Sequence, residues 1–199
     1  PWDHGGGVLL KLDHVISKDA DGKPLSHVGD FVWNWTYYAA RNKQSFLYFY
    51  FWNTKTGKVV ISAEDITAQR QALMREMQYL MVLRVYHSER LLGYKTLATD
   101  LLSLGKFACF AQEKRCSLRD VLEQRTLLDA FIAQVPSCQC ISVVKWYTFL
   151  SERITESELG FEVAVPKKLA ELKKRSNDYI KSRLQTAPLP TRIYLGLIN

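Results

Sequence analysis

The chain has 199 residues, of which 47% are hydrophobic and 24% charged, a balance that excludes a disordered or fibrous protein. Its formal net charge is +7, from 27 Lys and Arg residues against 20 Asp and Glu residues. The longest apolar run, residues 46–52, is far shorter than the roughly 18 residues of a membrane-spanning helix, so we expect no membrane as a partner.

The N-terminal third is rich in aromatic residues and predicts a small antiparallel β unit. Aromatic residues alternate with other types over 31–37, the period-2 pattern of a strand with one buried face. Residues 45–52 form a continuous aromatic run that suits a strand covered on both faces. A turn cluster at 53–58 leads to a further strand at 59–61, and the polar segment 18–29 is expected to be a loop.

From residue 62 onward, apolar residues recur at three- and four-residue spacing, which predicts helices. The predicted helices are 66–86, 94–114, a short helix that Ser117 caps, 126–135, 139–154 and 167–185, the last started by Pro166. The expected buried stripes are Leu73, Met77, Leu80, Met81 and Val85 on the first helix, and Leu97, Leu101, Leu104 and Phe107 on the second. The predicted fold class is therefore α+β, mainly α, with a β unit over 1–63 and a helical domain over 64–186.

The positive charge is concentrated at the C-terminal end of the chain. Residues 1–66 have no net charge and residues 67–166 have a net charge of +1, whereas residues 167–199 carry eight basic and two acidic residues. A clustered excess of this kind indicates either a surface for a polyanion or a solvated tail.

Two of the predicted helices carry basic residues in patterns that suit contact with DNA phosphates. One polar face of the second long helix holds two lysines and two hydroxyls, Lys95, Lys106, Thr99 and Ser103. The last helix has cations on several faces and few acids. The candidate DNA-binding residues are Lys95, Thr96, Thr99, Lys106, Lys145, Arg153, Lys167, Lys168, Lys173, Lys174, Arg175, Lys181 and Arg183. The alternative for each of them is an ordinary solvated face.

The four cysteines, Cys109, Cys116, Cys138 and Cys140, lack the spacing of a zinc ribbon or finger. In a chain long enough to build its own core, we expect them to be reduced thiols of a cytosolic protein. No metal and no cofactor is therefore expected.

Three segments of the helical part follow one another in the chain: residues 94–97 (YKTL), 104–111 (LGKFACFA) and 116–122 (CSLRDVL). This succession resembles the core-binding domain of the tyrosine recombinases, the phage-type integrases. Residues 29–33 (GDFVW) and 185–194 (QTAPLPTRIY) resemble a bacterial genomic-island subgroup of these integrases.

The resemblance implies that residues 64–186 form a helical core-binding (SAM-like) bundle that binds duplex DNA at a recombination site. The family keeps its strand-cleaving and rejoining residues in a later catalytic domain, so we expect no catalytic residue here and interpret 187–199 as a linker and the start of a missing domain. DNA integration and recombination then belong to the full-length protein. The implied location is the bacterial cytoplasm, at the nucleoid when bound, with double-stranded DNA and further copies of the chain as candidate partners.

A second hypothesis belongs to a different class of function. The aromatic β unit could dock another protein, with the basic helix incidental to that role. The chain would then be a non-catalytic protein-interaction module. Salt-dependent binding to short DNA duplexes separates the two hypotheses.

Overall fold

The computed structural model describes residues 11–39, 44–52 and 62–184, and it is mainly helical with a small antiparallel β unit at its N-terminal end. The strands are β1 (Val15–Lys18), β2 (Pro24–His27), β3 (Val32–Asn34) and β4 (Phe46–Tyr48). The helices are α1 (Ala68–Tyr86), α2 (Tyr94–Lys114), α3 (Leu118–Glu123), α4 (Arg125–Gln134), α5 (Cys140–Glu152), α6 (Glu156–Leu159) and α7 (Leu169–Leu184). Short 3-10 turns cover Thr36–Tyr38, Ala63–Asp65 and Ser137–Gln139. The fold class predicted from the sequence, α+β and mainly α, is confirmed.

The first two strands form a hairpin where the sequence predicted a loop. β1 pairs antiparallel with β2, and Val15 lies opposite His27. The Asp19 carboxylate closes the turn by accepting hydrogen bonds from the backbone N–H groups of Asp21 and Lys23. Gly22 supplies the positive φ of 81° that this turn needs. The loop expectation for 18–29 was wrong because a polar turn can nucleate a hairpin without an apolar strand pattern.

The aromatic strands form a second, separate pair. β3 and β4 are antiparallel, with Trp33 opposite Leu47. The alternation predicted around Trp33 is confirmed over a shorter stretch, since a 3-10 turn follows and leaves Tyr37 54% exposed. Residues 45–52 are covered on one face only: Leu47, Phe49 and Phe51 are buried, whereas Tyr48 is 45% exposed. The turn and strand expected at 53–61 lie outside the described residues.

The helix boundaries follow the sequence prediction closely. The helix expected at 94–114 is found at those residues, and the other long helices differ by a few residues at their ends. Ser117 caps α3 in a capping box: its hydroxyl accepts from the Asp120 N–H at 2.9 Å, and the Asp120 carboxylate accepts from the Ser117 N–H at 2.8 Å. The short helix α6 was not predicted, although Thr155 and Glu158 form a capping box there too.

Helix α1 is buried on nearly every side between Leu73 and Leu83, whereas Gln71 and Ala72 before this stretch are exposed. The predicted apolar stripe is too narrow a description, because the polar side chains of Glu76 and Gln78 are also buried. The β unit covers one side of α1, where the Arg75 guanidinium donates to the Gly29 carbonyl at 2.6 Å. Helices α2 and α3 cover the other sides. The buried amide of Gln78 donates to the Asp30 carbonyl at 2.6 Å.

The strands and helices share one hydrophobic core. Trp33, Trp35 and Phe49 belong to the same buried cluster as the apolar residues of α1 and α2. The Trp35 indole N–H also donates to the Leu92 carbonyl at 3.2 Å, just before α2. The predicted boundary at residue 63 thus marks a change from strands to helices within one packed unit, and the segment 187–199 lies outside the described residues.

On α2 the predicted stripe of Leu97, Leu101, Leu104 and Phe107 is buried as expected. Replacing Leu101 with alanine should lower the free energy of unfolding by about 2–5 kcal/mol, because it leaves a cavity in the core. Lys95→Ala should change it by less than about 0.5 kcal/mol, because Lys95 is exposed. Urea denaturation of the two variants measures both values. Equal losses of unfolding free energy would contradict the assignment of Leu101 to the buried face of α2 and of Lys95 to its exposed face.

The buried Glu76 should make the free energy of unfolding depend on pH. Its carboxylate accepts a hydrogen bond from the Leu118 N–H at 2.6 Å, but burial dominates and raises the pKa of Glu76 from an ordinary value of 4.5 to about 7. Between these two pH values Glu76 is therefore protonated in the folded protein, whereas the unfolded chain has already released that proton. The free energy of unfolding should fall by about 3 kcal/mol at most as pH rises through this window.

The matched variants for this test are Glu76→Gln, which removes the titrating group, and Glu162→Gln at an exposed position. Urea denaturation between pH 4.5 and 8 should give a shallower pH dependence for Glu76→Gln and the wild-type dependence for Glu162→Gln. If Glu76→Gln keeps the full slope, another group is responsible.

Candidate nucleic-acid interface

A groove of about 300 Å³ lies where α1, α2 and α5 meet. Its lining residues are Arg84, Lys95, Thr96, Thr99, Asp100, Ser142 and Lys145. The structure therefore brings together four of the residues predicted from the sequence: Lys95, Thr96 and Thr99 from α2, and Lys145 from α5. Because α5 packs against α2, residues about fifty positions apart in the chain line one concave surface.

The groove has an excess of positive charge. Three cations, Arg84, Lys95 and Lys145, line it with one carboxylate, Asp100, which leaves a net charge of +2. Lys95 and Lys145 are exposed, as are Thr96 and Thr99. Positive side chains around one cavity suit a phosphate group, since ammonium and guanidinium groups supply both charge and hydrogen-bond donors.

Asp100 holds Arg84 in place. The Arg84 Nε donates to the Asp100 Oδ2 at 3.0 Å, and the guanidinium carbon lies 4.9 Å from the centre of the Phe149 ring. Burial raises the pKa of the Asp100 carboxyl, while Arg84 and Lys145 act in the opposite direction. The Asp100 carbonyl in turn accepts a hydrogen bond from the Trp146 indole at 2.9 Å. These contacts join α1, α2 and α5 beside the groove.

Arg84 is not among the binding residues predicted from the sequence. It lies in the last turn of α1, a helix whose apolar spacing indicated only a core element. The one available signal was a cation near the C-terminal end of a helix, a position that favours positive charge in any protein. Only the approach of α2 and α5 shows that Arg84 also faces an exposed groove.

The polar face predicted on α2 is narrower than expected. Ser103 is buried, at 6% exposed, and its hydroxyl donates to the Thr99 carbonyl at 3.0 Å. Lys106 is half-buried and lines a separate shallow cavity of about 180 Å³ beside α4. The expectation that Ser103 is a surface hydroxyl was therefore wrong. Its short side chain is hydrogen-bonded to a backbone carbonyl of its own helix and can be buried there.

Helix α7 presents a second basic surface. It packs on α5 and the 137–139 turn, and its Leu172 and Ser176 side chains are buried. The lysines predicted for this surface are all exposed, namely Lys167, Lys168, Lys173, Lys174 and Lys181. Within the described part of the chain no salt bridge joins any of these lysines to a carboxylate. Their charges are therefore presented to solvent.

The three predicted arginines differ in their surroundings. Arg175 is half-buried, and its guanidinium donates to the carbonyls of Ile132 (at 3.3 Å) and Val135, at the C-terminal end of α4. It therefore caps a helix, a structural role that its position in a basic run concealed. Arg153 is exposed and lies 3.6 Å from Glu89, and Arg183 lies over the ring of Tyr179. Contact between these arginines and DNA stays a prediction.

The cysteines are all free thiols, and they differ in exposure: Cys109 and Cys138 are exposed, whereas Cys140 is buried. Among the described residues no group of three or more His, Cys, Asp or Glu side chains could hold a metal ion. Burial raises the pKa of Cys140, and partial desolvation of the sulfur atom, which lies 3.5 Å from the Phe51 carbonyl oxygen, raises that of Cys109; both shifts favour the unreactive thiol form.

Comparison with protein-family models, with curated proteins and with solved structures finds no significant match to this chain. The resemblance to tyrosine recombinases therefore stays a prediction. Within the described residues no single helix has the length and apolar content to cross a membrane, although Arg125–Gln134 and Ser137–Glu152 pass that test together across a bend of 116°.

The contrast between Arg175 and its neighbours can be tested directly. Arg175→Ala should lower the free energy of unfolding by about 1–3 kcal/mol, because it removes the hydrogen bonds to the α4 carbonyls. Lys174→Ala, one residue away and exposed, should change it by less than about 0.5 kcal/mol. Urea denaturation at neutral pH compares them, and a negligible loss for Arg175→Ala would show that its contacts with α4 do not stabilise the fold.

Proposed function

We propose that this chain binds duplex DNA through its α1–α2–α5 groove, with the exposed lysines of α7 adding contacts to the phosphate backbone. The observation that carries the proposal is the convergence of Lys95, Thr96, Thr99 and Lys145 with Arg84 in one groove. The sequence resemblance to the core-binding domain of tyrosine recombinases supports the same function.

The two basic surfaces suit different parts of this task. In the groove, Asp100 holds Arg84 rigidly, so its charge is oriented before DNA arrives and little side-chain freedom is lost on binding. On α7, long lysines that have no carboxylate partner within the described residues supply mobile charge that can follow a phosphate backbone. Rigid contacts favour a defined docking position, and mobile ones add affinity that is independent of sequence.

The proposal places the chain in DNA integration and recombination. A tyrosine recombinase that contained it would use this part to hold its site while a separate catalytic domain cleaves and rejoins the strands. That protein would act in the bacterial cytoplasm, at the nucleoid when bound, and further copies of the chain would occupy neighbouring half-sites.

A protein-interaction module is the second candidate. Tyr37 and Tyr48 of the β unit are about half exposed, and tyrosines are enriched at protein interfaces. Under this hypothesis the lysines of the groove and of α7 are solvated and make no contribution to binding.

Salt dependence distinguishes the two candidates. The wild-type chain should bind a mixed-sequence 20-base-pair duplex with an affinity that falls steeply as salt rises, because each phosphate contact contributes a slope of about −0.9 in log K against log salt. Lys95→Ala/Lys145→Ala and Lys173→Ala/Lys174→Ala should each flatten the slope by roughly 2. Fluorescence anisotropy over a series of salt concentrations measures these slopes.

The matched control is Lys18→Ala/Lys23→Ala, which removes the same charge from exposed positions around the β1–β2 turn. Its slope should equal that of the wild type. If the control flattens the slope as much as the groove pair, the effect is one of net charge alone. If the wild type shows no salt-dependent binding, the protein-interaction module becomes the leading candidate.

A further inference from the structure

A line of five residues runs along the outer face of α2. Lys95, Thr99, Leu102, Lys106 and Cys109 are spaced four, three, four and three residues apart, so at about 100° per residue all lie within roughly 40° of one line along the helix. Four of them are exposed and Lys106 is half-buried. The line begins at the groove, which contains Lys95 and Thr99.

Leu102 is 63% exposed at the middle of this line. A single exposed leucine is ordinary on a protein surface. This one, however, lies between two lysines whose Cα atoms are about 16 Å apart along the helix axis. The major groove of B-DNA is about 12 Å wide, so lysines at this separation can reach the phosphates on its two sides. With the lysines on these phosphates, Thr99 and Leu102 would lie over the base edges.

The two central residues offer mostly apolar contacts. The Thr99 hydroxyl donates its proton to the Lys95 carbonyl at 2.9 Å, which leaves a methyl group and an acceptor oxygen for any ligand. Leu102 has no polar group. Among the groups that the bases present in the major groove, the C5-methyl of thymine is the apolar one.

We propose that Thr99 and Leu102 contact thymine methyl groups in the major groove and so set a preference for thymine at one or two positions of the bound site. This inference rests on the proposed DNA-binding function and specifies which part of the site reads sequence. Lys95 and Lys106 serve as phosphate contacts that position the helix. Glu113, one turn beyond Cys109, ends the stretch and lies 3.3 Å from Lys114.

The experiment removes only the methyl group from the DNA. Random 20-base-pair duplexes are first selected on the whole chain, and each thymine of the enriched sequence is then replaced in turn by deoxyuridine. At one or two positions the wild type should bind the deoxyuridine duplex about fourfold more weakly, the effect expected for one buried methyl group. Leu102→Ala should lose most of this discrimination at one position.

Two further variants make the result specific. Leu91→Ala, an exposed leucine before α2, should keep the wild-type discrimination. Thr99→Ser keeps the hydroxyl and loses the methyl, so it should reduce discrimination at a position next to the one that Leu102 reads. Both leucines are exposed, and circular dichroism should give the same helix content for both variants.

The outcomes separate this inference from the proposed function. Two outcomes overturn the thymine contact and leave DNA binding intact. In the first, binding depends on salt but no sequence is enriched; in the second, Leu102→Ala still discriminates between thymine and deoxyuridine. The absence of salt-dependent binding to any duplex overturns both. Loss of discrimination in Leu91→Ala as well as in Leu102→Ala also overturns the inference, because it shows a general effect of removing surface leucines.

Discussion

The burial of helix α1 on nearly every side is the constraint on which the rest of the structure depends. A helix in that position must satisfy every polar side chain that it carries, because an unpaired polar group in a core costs about 1–3 kcal/mol. The Gln78 amide donates a hydrogen bond to the Asp30 carbonyl, and the Glu76 carboxylate accepts one from the Leu118 N–H. These two contacts fix the β unit on one side of α1 and the start of α3 on another. The polar groups of one helix thus specify where its neighbours lie.

The same helix connects the core to the candidate site. Arg84 is in its last turn, directly after the buried run that ends at Leu83, and it lines the groove between α2 and α5. Asp100 orients the guanidinium, and the Trp146 indole binds the Asp100 carbonyl. The position of Arg84 in the groove therefore depends on the packing of three helices. Contacts from three helices hold the groove in one arrangement, which favours one docking geometry over many.

Charge alone is a poor guide to the role of a basic residue in this protein. Lys174 and Arg175 are adjacent in a run of cations, yet one is exposed and the other caps α4 with its guanidinium. The planar fork of arginine can bind two carbonyls at a helix end, whereas a lysine in a solvated position keeps its hydration. Candidate phosphate contacts must therefore be chosen by exposure and by existing contacts. On α7 the exposed lysines meet both criteria, whereas Arg175 does not.

The sequence by itself determined the local structure, because helix periodicity and capping are properties of short segments. It predicted α2 at its observed residues and the Ser117 cap, and it identified the lysines of the groove as candidates. Only the tertiary structure decided that α1 is enclosed rather than amphipathic and that residues 18–29 form a hairpin. It also decided that Lys145 approaches Lys95 and that Arg84 joins them. These features depend on contacts between segments far apart in the chain, and the periodicity of one segment carries no information about which other segment covers it.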